Sequence, residues 1–273
     1  MKEQADTFAR NPTLRILGLD IDCISYDAMM DRFDHWIQSG ARRAFSVALV
    51  NVNCCVSALL DQKVRRVYQR ADLRGLDSMP FLYVAKTLRS RKCDRLYAPD
   101  MMLKLAEHSL QRGYKFFLYG GASKAPEAMA DYLLQRFPKL QITGMYSPPF
   151  RAMTEAEDDE ICRVIKESGA NILWVGLGSP KQDVWIEDHR SKLPGIVMIA
   201  AGATFDFFSG TISQAPRWIR SSGFEWFYRL LQDPVRLWKR YTVYNLLFIC
   251  AWVLELSGLL RLASPASPSP SEQ

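Results

Sequence analysis

Residues 171–186 read Asn-Ile-Leu-Trp-Val-Gly-Leu-Gly-Ser-Pro-Lys-Gln-Asp-Val-Trp-Ile, and this stretch decides the fold class. It begins as an apolar run typical of a buried strand, passes through Gly176 and Gly178, and continues as a helix. Ser179 is predicted to be the N-cap of that helix and Pro180 its first residue. Because free backbone N–H groups at a helix start attract phosphate, this order predicts an anion-binding strand end.

Strand-like and helix-like segments alternate along most of the chain. From Lys115 to Ala201 the order is β-α-β-α-β-α-β with short connections, which predicts a parallel sheet with helices on both faces. The predicted elements are strand 14–20, helix 27–37, strand 44–50, one or two helices over 54–70, helix 78–88, helix 100–112, strand 115–119, helix 124–137, strand 140–144, helix 154–168, strand 171–175, helix 180–189 and strand 196–201. The fold class is therefore α/β, with a Rossmann-like, mostly parallel sheet. Ligands bind such sheets beyond the carboxyl ends of the strands, where Gly120-Gly121, Gly176 and Gly202 fall.

The segment from Ala215 to Arg240 is basic and aromatic. It holds six Arg or Lys residues against two acids, and four of the seven tryptophans lie in it or just beyond it. Tryptophan beside Arg and Lys favours a membrane interface, and nucleic acid is an alternative partner for a basic patch. The apolar run 246–254 is shorter than the roughly 20 residues that a membrane span needs. An interfacial or core-docked helix is therefore favoured over a transmembrane helix.

Length and composition indicate one large α/β domain with an appendage. The chain has 273 residues, of which 48% are hydrophobic and 23% charged, and its net charge is +6. We expect an α/β catalytic domain over 1–212, a helical appendage over 213–262, and a disordered Ser/Pro tail over 263–273. The polar N-terminus has no signal-peptide pattern, and the six cysteines lack metal-type spacing. Reduced thiols suit the cytoplasmic face of a membrane.

Several cofactor sites have no sequence signature here. There is no GxGxxG pattern and no P-loop Lys-Ser/Thr, which disfavours dinucleotide and ATP sites of those two kinds. The three histidines lie far apart on predicted helices. No metal ligand set and no cofactor are therefore expected.

A few polar residues are candidates for chemistry on spacing alone. Asp77 directly precedes the predicted helix 78–88, and a carboxylate on a loop between a strand and a helix can act as a general base on a hydroxyl. A turn or N-cap aspartate explains the same pattern, and spacing alone favours that structural role. Asp100 is predicted to cap a helix, and Arg95 is either a solvated charge or a phosphate clamp. Gln182 either contacts a ligand or completes a capping box with Ser179.

The chain resembles the WecG/TagA/CpsF glycosyltransferases, glycosyltransferase family 26, over about residues 14–241. The most specific matches are Val-Gly-Leu-Gly-Ser-Pro-Lys-Gln-Asp at 175–183, Gln-Ala-Pro-Arg-Trp at 214–218, and Glu-Trp-Phe-Tyr-Arg with Pro-Val-Arg-Leu-Trp-Lys-Arg-Tyr within 225–241. The resemblance implies a bacterial, metal-independent, inverting transferase. Such an enzyme moves a sugar from a UDP-sugar to a lipid diphosphate-linked saccharide during envelope or exopolysaccharide biosynthesis. It would be a peripheral protein on the cytoplasmic face of the inner membrane.

The resemblance also implies site residues. The family's catalytic aspartate falls on Asp77. The implied substrate-binding residues are Asn51, Asn53, Arg95, Gln182, Asp183, Arg229, Arg236 and Arg240. In the family, the positions of Gln182 and Asp183 bind uridine, and the three appendage arginines close over the diphosphate.

Three departures from the family pattern lie near the proposed sugar pocket, at Asn51, Ser78 and Ala98. They leave the donor open among N-acetylmannosamine, its uronic acid and glucose. They also motivate an alternative function, a catalytically weak scaffold that binds a nucleotide or lipid diphosphate in a polysaccharide assembly complex. Nucleic-acid binding is the weakest hypothesis, and no such partner is expected. The appendage must dock on its own body or on another surface, which leaves homo-oligomerisation open.

Overall fold

The computed structural model describes residues 11–88 and 93–262. The predictions for the first ten residues and for the tail at 263–273 lie outside these described residues. The boundary at residue 212 between an α/β domain and an appendage stays a prediction.

Eight strands of the described chain form one sheet in the order β1-β2-β4-β3-β8-β7-β5-β6. The strands are β1 (Thr13–Ile16), β2 (Leu19–Asp22), β3 (Phe45–Val50), β4 (Leu73–Leu76), β5 (Lys115–Gly120), β6 (Gln141–Tyr146), β7 (Ile172–Gly176) and β8 (Val197–Ala200). β1 and β2 pair antiparallel, and the other neighbouring strands pair parallel. The predicted α/β class with a mostly parallel sheet is confirmed.

The predicted single strand over 14–20 is wrong, because the chain turns back at Leu17 and Gly18. Both residues have positive φ, 46° and 75°, as a tight two-residue hairpin turn requires. Leucine seldom adopts this conformation, so the local sequence is a poor turn signal. The backbone N–H groups of Leu17 and Gly18 donate to the Glu255 carboxylate at 2.7 and 3.1 Å. A distant side chain thus stabilises a turn that the local sequence disfavours.

Helices connect and flank the strands. They are α1 (Tyr26–Gln38), α2 (Val52–Leu60), α3 (Gln62–Arg70), α4 (Met79–Leu88), α5 (Ala98–Arg112), α6 (Ala125–Arg136), α7 (Glu155–Glu167), α8 (Lys181–His189) and α9 (Thr204–Phe208). The region 54–70 forms two helices because the Asp61 side chain caps α3, accepting from the Lys63 and Val64 N–H groups. The predicted capping box of Thr154 and Glu157 is confirmed. Asp100 is not a cap, because α5 begins at Ala98 and its N-cap is Tyr97.

Alternate residues of the central strands face two different hydrophobic layers. In β3, Val47 and Leu49 pack with α1 and α5, whereas Ala48 and Val50 pack with α2 and α4. The same alternation occurs in β5 and β8, whose other face packs against α7 and α8. Helices therefore cover both faces of the sheet, as the continuous apolar strands predict.

The C-terminal helices are α10 (Arg217–Ser222), α11 (Glu225–Gln232), α12 (Pro234–Trp238), a π-helical turn (Lys239–Val243) and α13 (Tyr244–Leu256). We call residues 217–256 the appendage. α13 packs on the body, where the Phe248 ring lies 5.5 Å from that of Phe81. Among the described residues, no helix combines the length and the apolar character needed to cross a bilayer. The core-docked alternative is therefore the one that the fold adopts for α13.

Candidate active site

A cavity of 540 Å³ lies at the carboxyl ends of β3, β4, β7 and β8. The sheet contributes the residues that follow these strands, and the appendage covers the opening. Its polar lining includes Asn51, Asp77, Arg95, Gln182, Arg229 and Arg240. Because the four strands are neighbours, residues that are far apart in the chain meet at one edge of the sheet.

Asp77 lies directly after β4 and faces Asn51, which follows β3. The Asn51 amide donates to Asp77 Oδ2 at 3.3 Å and also caps α2 by accepting from the Cys54 N–H. Asp77 Oδ1 is buried and has no hydrogen-bond partner among the described residues. Burial raises the pKa of Asp77 to about 7, although the positive charge of Arg95 opposes this shift. A carboxylate oxygen that accepts no hydrogen bond, on a group with a pKa near neutrality, is suited to general base chemistry.

Arg95 joins the body to the appendage. Its Nη2 donates to Glu225 Oε2 at 2.8 Å and lies 3.6 Å from Asp77 Oδ1. Its Nε donates to the Asp77 backbone carbonyl at 3.0 Å. Tyr97 donates to the other Glu225 oxygen at 2.7 Å. Arg95 therefore holds the Asp77 loop against α11, instead of pointing a free guanidinium into the cavity.

Gln182 links the two glycine loops at the ends of β7 and β8. Its Oε1 accepts from the Gly178 N–H at 3.1 Å and from the Gly202 N–H at 3.0 Å. It does not form the predicted capping box with Ser179, and Ser179 is not the N-cap of α8. Ser179 lies instead beside Tyr68, with their hydroxyl oxygens 3.0 Å apart.

Asp183 lies behind the cavity and does not line it. It is buried, and its Oδ2 accepts from the Tyr68 hydroxyl at 3.1 Å. Burial raises its pKa to about 7, against the opposing effect of its hydrogen bonds. Asp183 therefore lies behind the loop that Gln182 holds and is not part of the cavity lining. Its role in uridine binding stays a prediction.

The three appendage arginines have different surroundings. Arg229 and Arg240 line the cavity, and the Nε atom of each is buried without a hydrogen-bond partner in the described chain. Arg229 also lies over the Phe207 ring, 5.5 Å from its centre. Arg236 is more exposed, and its Nε pairs with Asp233 Oδ2 at 2.6 Å outside the cavity. Two of the three arginines are therefore positioned to bind an anion in the cavity.

The remaining predicted residues also contribute to the cavity. Asn53, Ser78 and Ala98 line it, as Asn51 does. All three departures from the family pattern, at Asn51, Ser78 and Ala98, therefore contact the space where a ligand would lie. Sequence reasoning did not select Glu225, although it lies within the quoted Glu-Trp-Phe-Tyr-Arg motif. Glu225 and Asp233 are the two acids of the basic segment, so charge contrast alone does not tell the buried Glu225 from the more exposed Asp233.

Gly120 and Gly121 do not line the cavity. The Gly121 N–H donates to the Gly176 carbonyl at 2.9 Å, and a Cβ on Gly120 would lie 2.5 Å from that carbonyl oxygen. Glycine is required because β5 and β7 approach closely there. These two glycines pack the sheet, and they offer no phosphate site in the cavity.

Two groups of possible metal ligands lie outside the cavity. One is the Asp-x-Asp pair at Asp20 and Asp22. These residues lie on β2, where Asp22 accepts from the Arg74 backbone N–H at 2.8 Å. In the described residues, Asp158, Cys162 and His189 also place ligand atoms within 4.8 Å of one another. Ion pairs already satisfy Asp158, since Lys192 Nζ lies 2.9 Å from it.

Comparison with known proteins found a matching family model and a relative. A family model described as "Glycosyl transferase WecG/TagA/CpsF family" matches residues 14–261. A relative from Bacillus subtilis (strain 168) is named N-acetylglucosaminyldiphosphoundecaprenol N-acetyl-beta-D-mannosaminyltransferase. It is 26% identical over 194 residues, which cover 71% of this chain and 73% of the relative.

Proposed function

This chain belongs to the WecG/TagA/CpsF family of glycosyltransferases, and we propose that it transfers a sugar from a UDP-sugar to a lipid diphosphate-linked saccharide with inversion. One observation carries the proposal. Asp77 Oδ1 accepts no hydrogen bond, and the Nε atoms of two arginines in the same cavity are buried and donate none, within the described chain. This pairing suits deprotonation of a hydroxyl next to a diphosphate.

In the proposed reaction, Asp77 accepts the proton of the acceptor hydroxyl while that oxygen bonds to the anomeric carbon. The bond from this carbon to the β-phosphate oxygen breaks on the opposite side, and UDP leaves with the electron pair. Arg229 and Arg240 stabilise the developing negative charge, in the place where other transferases use a divalent ion. The appendage also excludes water, which limits hydrolysis of the donor.

We infer the substrate class from the family and from the B. subtilis relative. The relative's name specifies transfer of N-acetylmannosamine to N-acetylglucosaminyl diphosphoundecaprenol. For this chain, we propose an acceptor of the same chemical class, in which a diphosphate joins a sugar to a polyprenyl chain. Asn51, Ser78 and Ala98 line the cavity and are candidates for setting the donor sugar.

We further propose that the appendage lies on the cytoplasmic face of the inner membrane. Trp218, Phe224, Val235 and Trp238 are exposed on it, at 72, 60, 86 and 55% of their surface. Arginine and lysine residues accompany them, which suits an anionic lipid surface. Co-sedimentation with vesicles of phosphatidylglycerol and phosphatidylcholine tests the membrane contact, and equal recovery without vesicles would contradict it. In the single chain α13 docks on the body through Phe248 and Ala251, and self-association stays a prediction.

The direct test of the function is a transfer assay. Purified protein is incubated with UDP-N-acetylmannosamine, its uronic acid or UDP-glucose, and with a synthetic N-acetylglucosaminyl diphospholipid. Released UDP and the mass of the glycolipid are measured. A heavier glycolipid with one donor is the expected result and identifies the sugar. UDP binding without product across the panel would instead favour the scaffold alternative.

Replacement of Glu225 tests the link between the appendage and Asp77, the proposed general base. Asp77 is surrounded by Arg95, Glu225, Asn51 and Arg229, and the negative charge of Glu225 raises the pKa of Asp77. In Glu225→Gln, the acid limb of kcat/KM against pH should therefore move to lower pH. Loss of the charged contact to Arg95 should also lower kcat roughly tenfold or more.

A matched control for this variant is available in Glu255. Its carboxylate also joins the appendage to the body, but it contacts the turn at Leu17 and Gly18. We expect Glu255→Gln to weaken docking without moving the acid limb. If both variants leave the pH profile unchanged, Glu225 has only a structural role.

A further inference from the structure

Part of the cavity lining is apolar, and we call the part that the following five residues line the apolar arm. Val52 and Met79 line this arm from the body, and Phe248, Ile249 and Trp252 line it from α13. No charged residue is among these five. An apolar concavity of this kind is not a favourable site for water, since water needs polar partners.

One face of α13 forms the wall of the apolar arm. Asn245, Phe248, Ile249 and Trp252 are spaced three and four residues apart, so they lie on the same side of the helix. Neighbouring positions outside the cavity lining, such as Leu246 and Val253, are exposed at 64 and 57% of their surface. The arm therefore runs beside the exposed apolar surface of the appendage.

The apolar arm and the cationic part belong to one continuous cavity. Arg240 and Tyr241 line it just before the α13 residues, so the cation and the apolar wall follow one another along the chain. A molecule that carries an anionic group next to a hydrocarbon would match both parts at once. Resting on the proposed function, we propose that the arm binds the isoprenoid units next to the diphosphate of the acceptor.

This subsite accounts for how a membrane-embedded acceptor reaches Asp77. The chain would leave the bilayer along α13, and its first isoprenoid units would lie between α13 and the helices α2 and α4. Burial of these units adds affinity in proportion to the hydrocarbon that is removed from water. The diphosphate would then be held at Arg229 and Arg240.

A series of soluble diphosphates tests the proposal independently of catalysis. Inorganic, dimethylallyl, geranyl and farnesyl diphosphate are titrated into the full chain by calorimetry, below their micelle concentrations. Each buried methylene adds roughly a fourfold gain in affinity, so an added isoprenoid unit that buries at least two of its carbons should lower Kd about tenfold or more until the arm is full. Equal affinity across the series, or no binding of any member, would overturn the proposal.

Two matched variants locate the effect. Ile249 lines the arm and Val253 does not, and both are β-branched residues of α13 with 56 and 57% exposure. Ile249→Asn should reduce the gain per isoprenoid unit while leaving inorganic diphosphate affinity unchanged, and Val253→Asn should preserve the gain. If both variants weaken only vesicle binding, α13 is a membrane-contact surface and the proposal is wrong.

The outcomes also separate this proposal from the proposed function. Chain-length-dependent binding without sugar transfer would support the subsite and contradict the transferase. Sugar transfer with no chain-length dependence would support the transferase and contradict the subsite.

Discussion

Asp77→Asn is expected to lower kcat by about 100- to 10,000-fold while leaving UDP affinity unchanged. The amide keeps the shape of the carboxylate and can still contact Asn51, but it cannot accept the proton of the acceptor hydroxyl. Single-turnover transfer measures the loss, and calorimetry measures UDP binding. Turnover at the wild-type rate would exclude Asp77 as the base.

The pH dependence of the wild type provides a second test of the same residue. The pKa of Asp77 is raised to about 7, and the base must be ionised, so kcat/KM should fall as pH decreases below 7. A profile that stays flat from pH 8 to pH 5 would contradict this assignment.

The Asp77→Asn substitution should increase the stability of the fold at alkaline pH. Because the folded-state pKa of Asp77 lies above the usual value of 3.8, the unfolding free energy decreases as pH rises from about 4 to about 7. The amide introduced by Asp77→Asn carries no charge at any of these pH values, so the variant should unfold at a higher temperature than the wild type at pH 8. The difference should disappear below pH 4, which thermal scans at the two pH values measure.

Arg229→Ala and Arg240→Ala should each cause a large loss of transferase activity. Each removes a guanidinium whose Nε is buried and, among the described residues, unpaired in the cavity, and we expect kcat/KM to fall about 100- to 1,000-fold. Arg217→Ala is the matched control, because Arg217 is an exposed appendage arginine that does not line the cavity. Equal losses in all three variants would indicate that the appendage acts through its overall charge.

Much of the fold could be predicted from the sequence because the local signals agree with the tertiary structure. Continuous apolar runs at 116–119 and 172–175 form parallel strands inside the sheet, and the Thr154 capping box opens its helix as predicted. The Leu17–Gly18 turn could not be predicted, since the bonds that stabilise it come from Glu255. Such a contact leaves no local pattern.

The candidate site was less predictable from spacing than the fold. Asp77 looks like an ordinary turn aspartate until β3 and β4 bring Asn51 and the cavity to it. Gln182 looks like a capping residue, but its partners Gly178 and Gly202 come from two different loops. The resemblance to a family selected both residues, because family motifs carry tertiary information that propensity and periodicity do not.

The contact between Glu255 and the Leu17–Gly18 turn has a consequence for biosynthesis. The two partners are separated by 238 residues, so the hairpin leaves the ribosome long before the carboxylate that completes it. Until then, the Leu17 and Gly18 amides of a disfavoured turn lack the carboxylate that they bond in the folded chain. The hairpin between β1 and β2 can therefore reach its final set of hydrogen bonds only after α13 has been synthesised.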